Sequence, residues 1–271
     1  CDLISGDFNW DKFEVRIYDG VSRILNELDK RNQKGTFFCL GWIAEKHPDI
    51  IRSIRKCGHH IGCHSYQHEL SFRFNKKTFE ADTLKAKNLI EDIIGEEVNA
   101  FRAPGFSITK NNVWALRSLA EMGFRYDCSI FPASHDYGGM PSYGEGIPKR
   151  IDVGGGRIIK EFPIGVHQVV GRHIVFSGGG FFRLFPYWLI KHWGKHSDYM
   201  MTYFHPRDFD TGQPVIKALP VMRRFKSYVG IKGAFAKFQR LLDCYDFYNV
   251  EQADEIINWE VSPIIELNSL K

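Results

Sequence analysis

Two histidines four residues apart, His64 and His68 in the run G-H-H-I-G-C-H-S-Y-Q-H, are the residues whose type and spacing point most directly to chemistry. Two neutral imidazoles can share a divalent cation when a ring nitrogen of each comes within roughly 2.0–2.1 Å of it. On a helical turn, side chains four apart stand about 5–6 Å from one another at Cβ. On a strand, four residues at about 3.3 Å each separate them by about 13 Å. A shared ion therefore predicts that the backbone turns helically after Cys63. The alternative is a pair of surface or core histidines satisfied locally. His60/His64 and His192/His196 have the same spacing, so spacing alone does not choose among the pairs. Lys191 and Lys195 flank the last pair and repel a cation. His60 falls in an extended H-I-G-C run, and Cys63 reads as a core thiol rather than a ligand.

Zinc generally takes a third protein ligand, often a carboxylate, and keeps one position for water. Asp2 and Asp7 are the acidic residues at the start of the chain, and neither stands in a metal-binding pattern. Ser65 occupies the place that glutamate takes in H-E-x-x-H, which argues against a zincin protease. His205, in T-Y-F-H-P-R-D-F-D, either protonates a departing amine as general acid or caps the turn into Pro206. Arg102, in F-R-A-P-G-F-S, suits a bound carboxylate, and Asp127, in Y-D-C-S-I-F-P, suits a cationic partner. A structural ion pair is the plain alternative for each. Pro104 and Gly105 shape a turn. Gly179 and Gly180, in S-G-G-G-F-F-R, permit either close approach of a sugar ring or a tight turn.

The elements that must position these residues follow βαβ grammar. An apolar stripe of Ile17, Val21, Ile24, Leu25 and Leu28 predicts a helix over 15–31. Strand-like runs follow at G-T-F-F-C-L, H-I-G-C, V-N-A-F-R, F-R-Y-D-C-S-I-F, I-I-K-E-F-P-I, H-I-V-F and Y-M-M-T-Y-F. Helical patterns over 42–56, 78–94, 111–122 and 182–196 separate several of them. His64, Arg102, Asp127 and His205 all fall where strand-like runs end, and in a βα barrel such ends converge on one face. Seven glycines between Gly138 and Gly156 read as a long loop over the barrel mouth. Alternation also predicts a strand ahead of the first helix, and residues 1–12 offer none, so the sequence is expected to begin downstream of that strand.

With 271 residues, 44% hydrophobic and 25% charged, the chain is expected to form one domain over 1–271, an α/β barrel or an elaborated α/β sheet. No apolar run approaches the roughly 20 residues of a membrane span and no signal pattern opens the chain, which points to the cytoplasm. Six cysteines without a C-x-x-C fit buried reduced thiols. A net charge of +4 is too mild for nucleic acid. Between Thr211 and Leu242 there is no acidic residue, while Lys217, Arg223, Arg224, Lys226, Lys232, Lys237 and Arg240 alternate with aromatic rings. That segment, 217–240, is either a solvated helical face over an aromatic core or a weak peripheral contact with an anionic membrane or diphosphate carrier.

Taken in order, G-T-F-F, H-S-Y-Q-H, F-R-A-P-G-F-S, Y-D-C-S-I-F-P, G-G-G-F-F-R-L and Y-F-H-P-R-D-F-D closely resemble the NodB-homology polysaccharide deacetylases. The branch found with exopolysaccharide and lipopolysaccharide synthesis is the most similar, and the likeness runs from Trp10 to about Asn249. The resemblance implies a distorted (β/α) barrel, and a divalent metal, usually zinc, used to hydrolyse an N-acetyl group from a glycan or glycolipid. It implies that His64 and His68 are ligands, His205 the general acid, Arg102 the residue that holds the catalytic carboxylate, and Asp127 an orienting group in the charge network. The family's opening motif, an aspartate pair that supplies the third ligand and the base, is expected a few residues ahead of Cys1. A metal-free glycan-binding barrel and an allantoinase-like cyclic amide hydrolase are the rival readings.

Overall fold

A computed structural model describes residues 14–134, 139–217 and 219–271. Internal packing divides the chain into two compact units, one of Cys1–Gln33, Phe176–Asp198 and Thr202–Asp246, the other of Lys34–Val175, Tyr199–Met201 and Phe247–Lys271. In the first of these, helix α1 (Ile17–Asp29) buries Val21, Ile24, Leu25 and Leu28, the stripe its 3.6-residue period predicts.

The larger unit begins with β1 (Thr36–Cys39), α2 (Gly41–Lys46) and α3 (Pro48–Lys56). The sequence predicts one helix over 42–56. Pro48 divides it, because proline drives the residue before it out of the helical region, and His47 takes φ −136°. There follow β2 (His60–Cys63), α4 (Lys76–Ile94), β3 (Ala100–Phe101), α5 (Trp114–Glu121) and β4 (Tyr126–Asp127). Helix α4 starts where the Asn75 side chain accepts from Thr78 N and stops at Gly95, whose φ of 71° only glycine adopts readily.

Past the undescribed 135–138, the glycine-rich stretch is not all loop, as its composition suggests. Residues 149–161 form a hairpin of β5 (Lys149–Gly154) and β6 (Arg157–Glu161), turned by Gly154, Gly155 and Gly156 at positive φ. H-I-V-F is likewise not a further parallel strand: β7 (Val166–Val169) and β8 (Arg172–Val175) pair antiparallel in a sheet of their own.

The main sheet runs β1-β2-β3-β4-β6-β5 and ends on β9 (Ile264–Glu266), which follows helix α10 (Val250–Ile256) near the end of the chain. Its first five members, β1 to β4 and β6, are parallel neighbours, β5 is antiparallel to β6, and β9 is parallel to β5. The sheet is open among the described residues, so the α/β class of the expected distorted (β/α) barrel is present without closure of the barrel. Turning back at 154–156 makes β5 an antiparallel neighbour of β6, β9 adds outside it, and neither β1 nor β9 has a second ladder partner among the described residues. Y-M-M-T-Y-F is not a strand either, for only Tyr203 makes a single bridge, to Gly178. Side chains anchor this run instead: Tyr199 OH donates to Pro163 O at 2.9 Å, and Tyr199 and Met201 pack against a core of Ala100, Tyr126, Cys128, Phe162 and Val250.

Close packing holds β2, the strand that carries His64, in place. A Cβ on Gly62 would stand 2.6 Å from the Phe38 ring and 3.0 Å from Ala100 O. Gly62→Ala is expected to destabilise the protein by about 1–3 kcal/mol through overpacking. Urea unfolding checks this, and an unchanged midpoint would mean that the Phe38 ring moves aside freely.

The smaller unit continues with α6 (Gly179–Leu184), α7 (Tyr187–Lys195), α8 (Val221–Tyr228) and α9 (Ile231–Leu242). Pro186 breaks the single helix expected over 182–196, again through the residue before proline. No helix among the described residues is long and apolar enough to cross a membrane. Of the described cysteines, all free, Cys39, Cys63 and Cys128 are buried, whereas Cys57 is half-buried and Cys244 exposed.

Candidate active site

His64 leaves the C-terminal end of β2, its backbone N–H donating to Cys39 O at 2.9 Å. The following backbone is not the helical turn that the spacing predicts. It is a loop in which Ser65 and His68 both take φ of 64°, the left-handed region. Ser65 Oγ accepts from His68 N at 3.0 Å, Ser65 O accepts from Gly41 N, and Asp82 Oδ2 accepts from Tyr66 N at 2.9 Å. These bonds hold two conformations that ordinary side chains avoid, at a cost of order 1–3 kcal/mol each. The result is that the His64 and His68 rings face each other at 5.0 Å between centroids and 75° between planes.

A carbonyl only accepts, so the 2.6 Å contact of His64 Nδ1 with Arg102 O fixes the proton on Nδ1 and makes Nε2 the lone-pair nitrogen of the ring. Two imidazoles on one tetrahedral ion at about 2.0–2.1 Å place their ring centres about 5 Å apart. The pair thus fits two positions of a metal site. No third His, Cys, Asp or Glu joins them in a metal-sized group among the described residues, and Asp2 and Asp7 lie outside those residues. The other histidine pairs fit less well. His60 is buried in β2, with Asn99 Oδ1 at 3.0 Å and Thr36 Oγ1 at 3.1 Å on its two nitrogens, while His196 Nδ1 turns back to His192 O. Cys63 is fully buried and burial pushes its thiol up, as the core reading requires.

Arg102 and Asp127 sit at the ends of the next two parallel strands. Arg102 is buried. Its Nε donates to Cys128 O at 3.0 Å, its guanidinium carbon lies 4.4 Å from the Phe38 ring centre, and its Nη2 has no hydrogen-bond partner among the described residues. An orphaned, buried guanidinium nitrogen suits an incoming carboxylate. Asp127 has no exposed surface and accepts from Ser129 Oγ at 2.6 Å and Ser129 N at 3.2 Å. Ser129 Oγ in turn accepts from Ala103 N at 2.8 Å. The loop after β3 carries Pro104 and Gly105, and Gly105 takes φ of 60°. Ser107 joins that loop to the histidine loop, donating to Pro104 O at 2.6 Å and accepting from Ser71 N at 2.8 Å.

Sequence reasoning misses Glu161, the residue directly across from Asp127 on β6. Both side chains are fully buried, and Glu161 Oε1 accepts from Ile130 N at 3.0 Å. Glu161 Oε2 is buried with no hydrogen-bond partner among the described residues, and a proton held between the two carboxyls would satisfy it. Burial raises Glu161 well above the usual carboxylate range, and the Asp127 charge adds to this. Burial raises Asp127 too, against the lowering effects of Glu161, Ser129 and Arg102. The signal was present: an acidic residue at a core-facing place in I-I-K-E-F-P-I breaks the apolar pattern of a buried strand.

In the smaller unit, His205 caps the 3-10 turn Pro206–Phe209, so its structural role holds. It also carries the geometry of a positioned base or acid. Nδ1 lies 3.3 Å from Asp208 Oδ2, and the same oxygen accepts from His205 N at 2.8 Å. Asp208 is buried against Arg183, whose Nε is 3.3 Å from Oδ1 and whose Nη atoms donate to Ser227 O and Lys226 O. Burial works to raise the Asp208 carboxyl, but His205 and Arg183 outweigh it and hold the group below the usual range. Gly179 takes φ of 51° and donates to Tyr203 O at 2.9 Å, so the glycine run receives the Tyr203 ring and backbone. A Cβ on Gly180 would stand 3.4 Å from Lys226 O. Removing Asp208 leaves a buried guanidinium uncompensated, so Asp208→Ala is expected to cost about 3–5 kcal/mol in chemical denaturation. A loss below about 1 kcal/mol would mean that solvent reaches Arg183.

At the ends of the parallel strands and in the loop after β2 lie a histidine pair, an arginine with a buried unpartnered nitrogen and two buried carboxyls, side chains of the types that hydrolysis uses. Residues 10–126 match the polysaccharide deacetylase family model, and residues 128–255 match a domain of unknown function, DUF3473. A peptidoglycan-N-acetylglucosamine deacetylase of Bacillus cereus is 32% identical over 117 residues, 41% of this chain and 42% of that protein. A peptidoglycan deacetylase of Helicobacter pylori is 31% identical over 41% of this chain and 37% of its own length. The chain thus spans less than half the length of these curated relatives. A solved structure titled "putative polysaccharide deacetylase" from Mycobacterium smegmatis superposes over 90% of this chain and 79% of its own, with a TM-score of 0.59 at 22% identity. A CE4 family pseudoenzyme from Bacillus anthracis reaches 0.50 at 12% identity over 88% of this chain and 62% of its own. These two likenesses carry the fold alone. The polysaccharide deacetylase model matches less than half of the chain, and the curated relatives that match carry peptidoglycan names rather than exopolysaccharide or lipopolysaccharide ones.

Proposed function

We propose that residues 1–271 work as one metal-dependent deacetylase domain that removes N-acetyl groups from a sugar in a polysaccharide or glycolipid precursor of exopolysaccharide or lipopolysaccharide type. The observation that carries this reading is the His64–His68 pair, with Nδ1 of His64 pinned on Arg102 O at 2.6 Å and the rings 5.0 Å apart. His64 and His68 would hold the metal, zinc in this reading, together with a carboxylate from the family's opening motif. Such an ion supplies Lewis-acid polarisation of the acetyl carbonyl and a bound water acidic enough to attack near neutral pH.

The chain's own residues do the rest. Arg102 holds the carboxylate that takes the water's proton, and its unpartnered Nη2 supports that role. Asp127 orients Arg102 from the next strand. His205 presents Nε2 as the proton donor to the departing amine, its Nδ1 side oriented by Asp208. Pro104 and Gly105, and separately Gly179 and Gly180, are the proposed sugar-binding residues. The five described cysteines, all free, support a reducing compartment, the cytoplasm, and the basic segment 217–240 gives the protein a peripheral membrane contact.

Zinc titration followed by acetate release from N-acetylglucosamine oligomers tests the reading. Zinc binding that depends on both His64 and His68, with acetate released, is the expected result. Failure to bind zinc would overturn it, and oligomer binding without acetate release would leave a glycan-binding barrel in its place.

A further inference from the structure

Helix α8 is amphipathic, yet none of its residues is buried. At about 100° per residue, Val221, Met222 and Phe225 fall within one side of V-M-R-R-F-K-S-Y, and Arg223, Arg224 and Lys226 occupy the rest. A helix with such a pattern ordinarily turns its apolar side to a core. Here Val221, Met222 and Phe225 are 74%, 65% and 53% exposed. The next helix in the same basic segment behaves in the ordinary way, since α9 buries Ile231, Ala234, Phe238, Leu241 and Leu242. The aromatic-core reading therefore describes α9, whose Lys237 is turned onto the carbonyls of Phe182, Arg183 and Phe185, and leaves α8 unexplained.

What fixes α8 is not its apolar side. Arg183 donates to the carbonyls of Lys226 at 2.9 Å and Ser227 at 2.7 Å, and Tyr228 OH accepts from Ile216 N and donates to Pro214 O, both at 3.0 Å. The helix is tied down by polar bonds at its C-terminal end while the apolar side stays outward. Charge selects what covers that side. No acidic residue occurs between Thr211 and Leu242, and Arg223, Arg224 and Lys226 surround the exposed face, with Lys217 and Lys232 before and after the helix. A second copy of the chain would bring the same positive charges against these and be repelled. A bilayer with anionic headgroups satisfies both halves of the surface, cations against phosphates and Met222 and Phe225 in the headgroup and acyl boundary.

We infer that α8 is a docking helix that lies flat on an anionic membrane surface and inserts Val221, Met222 and Phe225. This deepens the membrane contact proposed above and does not depend on the deacetylase chemistry, so flotation and acetate release fail separately. The test is flotation with phosphatidylcholine vesicles, with and without phosphatidylglycerol, at low and high salt. The whole chain is expected to float only with phosphatidylglycerol vesicles and to be released by salt. Arg223→Gln with Arg224→Gln is expected to weaken binding about thirtyfold, and Met222→Glu with Phe225→Glu to abolish it. The far-ultraviolet circular dichroism of both variants should match the parent, because every substituted side chain is at least partly exposed. No flotation at low salt, or equal flotation by the glutamate variant, would overturn the inference. So would a dimer in sedimentation that the glutamate variant dissolves, which would assign the face to a second copy.

Discussion

Replacing His64 with alanine is expected to take the zinc content of the zinc-loaded protein from near one ion per chain to near none, and to lower deacetylase turnover by more than about a hundredfold. Residues that only hold a metal's ligands in place are already worth about 10–100-fold in affinity or activity, and the function proposed above puts His64 in direct contact with the ion. The side chain also donates to Arg102 O at 2.6 Å, and losing one such bond costs about 1 kcal/mol. Fold and metal therefore respond on different scales. Elemental analysis beside urea unfolding separates them: a variant that stays folded and loses its zinc supports the assignment, and one that keeps its zinc removes His64 from the site. His192→Ala is the matched control. It belongs to a pair of the same spacing whose His196 Nδ1 is turned back to the His192 carbonyl, and its zinc content should not change.

The second large effect concerns Glu161 and is read by pH. The ordinary value for the glutamate is 4.5, and burial raises the folded carboxyl well above it. A group whose folded pKa is raised binds its proton more tightly in the folded state. Its stabilising contribution is complete below about pH 4.5 and is lost as pH rises through the folded value. Asp127, raised from 3.8 mainly by burial, adds a slope of the same sign. The groups that act on the pair are Arg102, Cys128, Tyr143 and Tyr199, and burial raises the thiol and both phenols, so Arg102 is the charged group among them.

Glu161→Gln cannot ionise, and its amide offers both an acceptor to Ile130 N and a donor to Asp127. Its stability relative to the parent is expected to climb steadily from pH 5 to pH 9 in urea unfolding, to about 1–3 kcal/mol at the upper end, the scale of an uncompensated buried polar group. Glu161→Ala leaves Ile130 N and Asp127 without that partner and should cost about 1–3 kcal/mol even at pH 5. A pH-independent difference between the parent and the glutamine variant would mean that both carboxyls ionise together and that the shared proton does not exist.

The elements that position the site were legible where local rules suffice. The stripe of α1, the extended H-I-G-C run that contains His60, the core thiol at Cys63, and the strand ends that carry His64, Arg102 and Asp127 all follow from periodicity and residue type. The two helices divided at Pro48 and Pro186 were also within reach of a local rule, since the residue before a proline rarely stays helical.

The rest was decided by residues far apart in the chain. The sequence by itself placed His64, Arg102 and Asp127 at strand ends of an α/β scaffold, with His68 four residues beyond His64. It could not determine how the imidazoles meet, because a four-residue spacing admits a helical turn as readily as a loop with two left-handed residues, and only bonds to Gly41 and Asp82 select the loop. Nor could it close or open the sheet, since three glycines at positive φ turn β5 back against β6 and β9 adds beyond it. Glu161 became part of the site for the same reason. Its charge is ordinary in a sequence, and only the cross-strand register with Asp127, in a place where water does not reach, sets the two carboxyls against each other.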